Sequence, residues 1–470
     1  MLESSRTLDL RSRLDFAADR LRASAGEAHV RAKSAGEPIL AWTSVEIPAQ
    51  DPLTAFDGGR PQLDRRMLFL RPEDRFGIGG IGTAWTYACE GRDRFALAEA
   101  AWRRVTERAV GDDAGGPVVM YGFAFEETDT AWDGYPPGLL VVPRVLVWRS
   151  GDKSRLILSA FIEAERTPTA AVGATVACAR LLRQRRDSPG MDEIAAPFRV
   201  VDEFPAAADW KQAVRETAHA VRSGRLQKAV LARGIRVRGG RLDASAALRT
   251  LRTEYPGCTI FAAARGGRCF LGASPERLVR VRDGEAAIAA LAGSAPRGET
   301  EAADRDLGAG LLRSGKDRVE HAVVVEALRR GLAGITTEVS GDDAPRLLTV
   351  RNTHHLYTPL RAVLRGRRSV FDLIGRLHPT PAVGGVPKDA ALAWIRRHER
   401  WDRGWYAGPI GWADANGEGE AAVAIRSALI EADGARLFAG CGIVADSEPD
   451  QEFAESDWKL RPLLSALSGA

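Results

Sequence analysis

Apolar and polar positions divide the chain into two unlike parts. Residues 8 to 35 carry an Ala- and Arg-rich pattern that predicts a helix. From Pro38 to about Arg180 most segments are short apolar runs bounded by turn residues. They predict strands at Ile39–Ile47, Met67–Leu70, Val118–Phe125, Leu139–Trp148 and Arg155–Ile162, with a helical interruption from Arg94 to Val105. Asp187 to Pro205 reads as a connector. Beyond it, helices and strands alternate. Trp210, Val214, Ala218 and Val221 form one stripe of an amphipathic helix over Trp210–Ser223. Strands are expected at Ala229–Val237, Cys258–Ala264, Arg268–Gly272 and Arg277–Arg282, and Glu301–Leu332 is largely helical. Ala421–Glu431 and Leu437–Val444 read as a hairpin across Ala432-Asp433-Gly434. There is no internal repeat and no low-complexity segment.

Composition narrows the classes. A length of 470 residues alone suggests about three domains. The 66 basic residues are scattered, and the net charge is only +4, so no nucleic-acid partner is expected. The five cysteines are odd in number and contain no C-x-x-C pair, which argues against a disulfide framework and a zinc ribbon. The first ten residues lack an apolar targeting core, and no apolar run is long enough to span a bilayer. The expectation is a cytoplasmic protein with no membrane partner.

Gly77-Ile78-Gly79-Gly80-Ile81-Gly82 matches the G-x-G-x-x-G dinucleotide fingerprint. That fingerprint should close a strand and open a helix. Here Arg71 to Arg75 separate it from the preceding strand, and Thr83 to Tyr87 read as strand. A glycine-rich turn between strands is the better account.

The most informative stretch runs from Gly440 to Lys459. An apolar strand enters a turn, Ser447 and Pro449 start a helix, and Glu452, Glu455 and Lys459 then share one face. Alone, this is a solvated helix with an internal salt bridge. It gains meaning beside three other segments. Lys228 stands at the mouth of an apolar strand. Glu276 follows Ser274-Pro275, with Leu291-Ala292-Gly293-Ser294 beyond it. Glu320 lies in Lys316-Asp317-Arg318-Val319-Glu320-His321.

Together, in this order, these segments resemble the chorismate-utilising enzymes, the family of isochorismate, salicylate, anthranilate and aminodeoxychorismate synthases. The resemblance is strong over residues 206 to 466. It is weaker upstream, where Gly122-Phe123-Ala124-Phe125 and Val142-Pro143-Arg144 are similar to the family's N-terminal half. It implies an α+β fold: one large unit of two packed antiparallel β-sheets with helices outside, replacing the count of three domains. Residues 1–205 would be the divergent N-terminal half and 206–466 the catalytic region of one compact unit.

Carried over position by position, the resemblance implies that Lys228 is the base that activates water and Glu276 the general acid. Glu320 and Glu455 would hold Mg2+, with Glu452 as a further or water-mediated ligand. Gly293, Ser294, His355, Ala382, Arg426, Gly440 and Lys459 would bind the substrate, chorismate. The chemistry is consistent with these residue types. Few carboxylates on magnesium leave positions open for a substrate oxygen and waters. Arg426 and Lys459 can neutralise the substrate's carboxylates. A lysine activates water only when neutral, and a carboxyl in a partly apolar site is held protonated, ready to donate.

Within the family, Lys228 favours water, because ammonia-using relatives typically carry glutamine there. No glutamine amidotransferase partner is therefore expected. His378-Pro379-Thr380-Pro381-Ala382-Val383-Gly384-Gly385 is similar to the isochorismate synthase pattern, whereas salicylate synthases usually carry threonine near Ala382. The reading is an isochorismate synthase, an isomerase, acting as a monomer and feeding menaquinone or siderophore synthesis. The alternatives are a salicylate synthase and a catalytically silent chorismate-binding subunit.

Overall fold

Runs of Val, Ile, Leu and Ala alternating with polar positions build two sheets, and helices cover the faces that the sheets do not bury in each other. The computed structural model describes residues 9–58, 65–111, 115–128, 130, 132–183, 198–240 and 242–468. Among these, one sheet has 12 strands and the other 10. The larger runs in the order Ile39–Ile47, Lys153–Ile162, Val145–Ser150, Phe76–Ile81, Arg66–Arg71, Thr259–Arg265, Arg268–Ser274, Ser427–Glu431, Gly434–Ile443, Lys228–Arg238 and Gly385–Val386. Arg199–Phe204 also pairs with Lys228–Arg238. The smaller runs Thr336–Gly341, Thr353–Leu364, Glu285–Pro296, Arg277–Arg282, Gly419–Val423, Pro409–Asp414, Val118–Phe123, Gly138–Val142 and Trp85–Cys89, with Arg346–Val350 on Thr353–Leu364. The ladders of both sheets are antiparallel, giving the α+β class expected from the sequence. Both sheets draw strands from both halves of the chain: Arg66–Arg71 pairs with Thr259–Arg265, and Val118–Phe123 with Pro409–Asp414.

Several strands read as continuous are broken. Leu139–Trp148 is two strands, Gly138–Val142 in the smaller sheet and Val145–Ser150 in the larger, separated by Pro143-Arg144. Proline has no N–H to give a ladder, so pairing stops there. Ala421–Glu431 likewise divides into Gly419–Val423 and Ser427–Glu431. The chain turns at Arg426, which adopts a left-handed φ of 52°. Glu301–Leu332 is two helices, Glu301–Arg313 and Gly315–Leu332. Ser314 ends the first and caps the second by accepting the Asp317 N–H at 3.2 Å.

The breaks occur in pairs. Arg268–Ser274 and Ser427–Glu431 are partners in the larger sheet, and their continuations Arg277–Arg282 and Gly419–Val423 are partners in the smaller. A second ribbon crosses in the same way, with Phe76–Ile81 on Val145–Ser150 and then Trp85–Cys89 on Gly138–Val142. Two ribbons therefore join the sheets. The main core, including Tyr121, Phe123, Phe261, Phe270, Trp405 and Phe438, fills the space between.

The glycine run is not a turn. Phe76–Ile81 is a strand paired on both sides. Its glycines answer close approaches: a Cβ on Gly79 would collide with the Pro52 carbonyl oxygen, and one on Gly80 would lie 2.5 Å from Pro143 Cγ. The expected connector also differs. Its last part, Arg199–Phe204, is a strand, while residues 184–197 lie outside the described residues. All five cysteines are free and buried. No helix among the described residues is long and apolar enough to cross a membrane.

Because the obstacle at Gly79 is backbone rather than a movable side chain, Gly79→Ala is expected to destabilise the fold by about 3 kcal/mol, the upper range for overpacking. Urea denaturation checks this; a loss under about 1 kcal/mol would show that the segment Pro52–Gly58 yields easily.

Candidate functional site

The ribbon that crosses at Pro275-Glu276 and at Ala424–Arg426 opens into a cleft. Its walls come from the ribbon, the strands Lys228–Arg238, Gly434–Ile443 and Glu285–Pro296, and the helices Gly315–Leu332 and Pro449–Ser468. Strand alternation sets what faces inward. Val230 is opposite Gly442 in the ladder, and both line the cleft, as does Gly440 two residues earlier. Lys228 shares the face of Val230 and is 1% exposed. Its ammonium lies 2.8 Å from Glu320 Oε1. The space for this pair exists because residue 442 is glycine. A Cβ there would lie 2.7 Å from Lys228 Cε and would collide with the Glu320 carboxylate.

The remaining sequence-derived residues converge on the same cleft. Glu276, Gly293, Ser294, Glu320, His355, Ala382, Arg426, Gly440, Glu452, Glu455 and Lys459 all line it. A bulge in the pairing of Glu285–Pro296 with Thr353–Leu364 falls between Leu291 and Ser294. Gly293 takes a φ of 80° there, and the ladder resumes with Ser294 opposite His355. The Ser294 hydroxyl and His355 Nδ1 are 2.7 Å apart, and His355 Nε2 is 3.0 Å from the Thr353 hydroxyl. Burial, then the nearby Arg426 and Lys459 charges, keep His355 well below the usual histidine range, so the ring is neutral.

Three carboxylates are each matched by a lysine: Glu320 by Lys228, Glu455 by Lys459 at 2.6 Å, and Glu452 by Lys316 at 2.9 Å. Lys459 also donates to the Gly440 carbonyl at 2.8 Å. Glu452, Glu455 and the Cys441 thiol each place a donor atom within 4.8 Å of the others, Glu320 lines the same cleft, and carboxylate oxygens suit a hard divalent cation such as Mg2+. Arg426 differs from the lysines, because no carboxylate among the described residues lies within ion-pair distance of it. Its guanidinium lines the cleft with its charge unmatched by any of these carboxylates. Glu276 is the opposite case. It is 3% exposed, and burial pushes its carboxyl up to about 8 against the opposing effects of Lys228 and the Thr380 hydroxyl. It is therefore mostly protonated at pH 7.

Some contributors were not found from the sequence. Tyr406 lines the cleft, and its hydroxyl would meet a Cβ on Gly440 at 2.9 Å. Lys316, Asp317 and Gly442 also line it; each lay in a segment quoted for its neighbours. The largest omission is the pair Glu399 and Arg403. Between its pairings with Gly385–Val386 and with Arg199–Phe204, Lys228–Arg238 has no strand on one flank. Side chains occupy that gap. Ala232 N–H donates to Glu399 Oε1 at 2.7 Å, and Arg403 donates to the Val230 carbonyl at 2.8 Å and the Val383 carbonyl at 2.9 Å. Arg403 Nε also donates to Glu399 Oε2 at 2.8 Å, and both residues are buried. The pair thereby fixes Val230 and Val383, two walls of the cleft.

A family model described as chorismate binding enzyme matches residues 27–468. The chain is 38% identical over 448 residues to the salicylate biosynthesis isochorismate synthase of Pseudomonas aeruginosa, covering 93% of this chain and 92% of that one. It is 34% identical over 466 residues to isochorismate synthase MenF of Bacillus subtilis, covering 93% and 96%. The crystal structure of MenF, the menaquinone-specific isochorismate synthase from Escherichia coli, superposes with a TM-score of 0.78 at 26% identity, over 94% of this chain and all of that one.

Two stability measurements follow from this geometry. Arg403→Met leaves Glu399 buried and uncompensated and is expected to cost roughly 3–5 kcal/mol in urea denaturation. The double variant Glu399→Met/Arg403→Met should also remain well below wild type, because three backbone groups lose their partners; wild-type stability in the double variant would show that the pair is dispensable. The second concerns Glu276. Its folded-state pKa is raised, so its contribution to stability is fully present at acid pH and is lost as pH rises toward about 8. Glu276→Gln should therefore gain stability over wild type with rising pH, by on the order of 3 kcal/mol at pH 7. A pH-independent difference would mean that the carboxyl ionises freely in the fold.

Proposed function

The chain belongs to the chorismate-binding enzyme family, and from that premise we propose that it is a Mg2+-dependent isochorismate synthase. The reaction is reversible: water adds at C2 of chorismate and the C4 hydroxyl leaves. The observation that carries the reading is that a carboxyl held protonated, Glu276, and a buried lysine, Lys228, serve one cleft that also holds three carboxylates and a guanidinium with no carboxylate partner among the described residues.

Arg426 and Lys459 receive the substrate's carboxylates, and Arg426 can do so with a two-pronged fork. The glycines at 293, 440 and 442 leave the room that Asp317, the Tyr406 hydroxyl and the Lys228–Glu320 pair occupy around the cleft. Lys228, which must first give up a proton to solvent as it leaves Glu320, would then take the proton from the attacking water, and Glu276 would deliver its proton to the departing C4 oxygen, so one proton is taken up and one released per turnover. Return of both groups to their starting state is a proton exchange with solvent. Glu320 and Glu455 would hold Mg2+, which when bound draws electron density from the ring through a carboxylate oxygen. Neutral His355 and Ser294 offer hydrogen bonds without adding charge.

Lysine at 228 supports water over ammonia as nucleophile. Ala382 presents only a methyl group to the cleft, which supports a reaction that stops at isochorismate rather than continuing to salicylate and pyruvate.

Incubation of the purified protein with chorismate, with and without Mg2+, tests this by liquid chromatography with mass detection. The expected product has unchanged mass and shifted retention, appears only with the metal, and is lost in Lys228→Ala and Glu276→Gln while the fold persists. In wild type, kcat/KM should fall as pH rises through about 8, where Glu276 loses its proton. Salicylate with pyruvate would assign the longer reaction, and bound but unconverted chorismate would assign a silent binder.

A further inference from the structure

The three lysine–carboxylate pairs of the cleft are alike in distance but not in chemistry. On the functional reading, Lys228 must turn to water and Lys459 to substrate, so Glu320 and Glu455 are released during the reaction. Lys316 has no second task. Its ammonium reaches from the first turn of Gly315–Leu332 to Glu452 Oε1 on Pro449–Ser468, 2.9 Å away. Glu452 is 3% exposed, and the Ser447 hydroxyl also bonds to its carboxylate. Cys441 Sγ donates to the Glu452 carbonyl at 3.3 Å, which fixes that turn of helix. Glu452 is thus held by residues on both sides; it lines the cleft beside Glu455, one turn further on, which pairs with Lys459.

We propose that Lys316 is a positioning residue for the cation site: it holds the Glu452 carboxylate out of the cation's inner coordination sphere. The inference rests on the isochorismate synthase reading and extends it to a residue that the reading leaves unassigned. The physical reason is a charge and coordination count. Mg2+ prefers six near-octahedral positions, keeps several waters, and is usually held by one or two protein carboxylates when a substrate must also bind. Three direct carboxylates together with a dianionic substrate would fill those positions and overload one divalent ion with negative charge. Lys316 neutralises the third carboxylate and leaves it to bond to a metal-bound water. Outer partners of this kind typically alter metal affinity by 10- to 100-fold.

Mn2+ is the probe, because its bound waters can be counted by pulsed electron paramagnetic resonance and its affinity read by titration, both without turnover. Lys316→Met should bind Mn2+ roughly tenfold more tightly than wild type and carry one water fewer, as Glu452 moves onto the ion. Lys316→Arg should behave as wild type. Adding Glu452→Gln to Lys316→Met should restore wild-type affinity and hydration, and Glu452→Gln alone should leave the water count unchanged. A gain of one water in Glu452→Gln alone would make Glu452 a direct ligand and overturn the proposal, independently of how Lys316→Met folds. Unchanged or weaker Mn2+ binding in a folded Lys316→Met would also overturn it. Wild-type protein that binds no Mn2+, with or without chorismate, would instead overturn the functional reading beneath it.

Discussion

The site depends on a topological constraint: an antiparallel ribbon can belong to two sheets only if both of its strands break at the same level. In one ribbon the break falls at Pro275-Glu276 on one strand and at Ala424–Arg426 on the other. Backbone groups there leave the ladder, and an acid, Glu276, and a guanidinium, Arg426, emerge on the walls of one cleft. The Val423 N–H donates to the Glu276 carbonyl at 3.1 Å, so the two breaks are tied to one another. Residues nearly 150 positions apart are thereby placed by backbone geometry before any side chain is considered. Helices then need only bring carboxylates and lysines to an opening that already exists.

Charge follows the same economy. Before any ligand arrives, the cleft is close to self-neutral, because Glu320, Glu452 and Glu455 each have a lysine. Burying unmatched carboxylates would cost several kcal/mol each. Two groups break the rule in opposite ways. Arg426 lacks a carboxylate partner, and Glu276 avoids needing a cation by staying protonated. Those exceptions are the two groups to which the proposed function assigns substrate binding and proton donation.

Much of this was legible in the sequence. The four motif segments carried Lys228, Glu276, Glu320 and Glu455, and the structure brings these residues to one cleft. Helix limits were close where caps are explicit, as at Asp9 before Leu10–Ala35, whose side chain accepts the Ser12 N–H at 2.8 Å. What the sequence hid was sheet membership. An apolar run looks the same whether a strand stays in one sheet or crosses to another, so Leu139–Trp148 and Ala421–Glu431 read as single strands. The glycine run misled for a related reason: close approach of Pro52 and Pro143 selects glycine as effectively as a turn does. Glu399 and Arg403 carry no local signal at all, because their role is defined by a gap in a strand more than 160 residues away.

That gap has a consequence for solubility as well as for catalysis. A strand flank with open N–H and C=O groups is a template on which another chain can add and begin aggregation. Here the Val230 N–H donates to the Gly384 carbonyl at 2.7 Å, and Glu399 and Arg403 serve the groups beyond it. Two side chains that mimic strand hydrogen bonds close the flank to foreign backbones while taking up less room than a strand would.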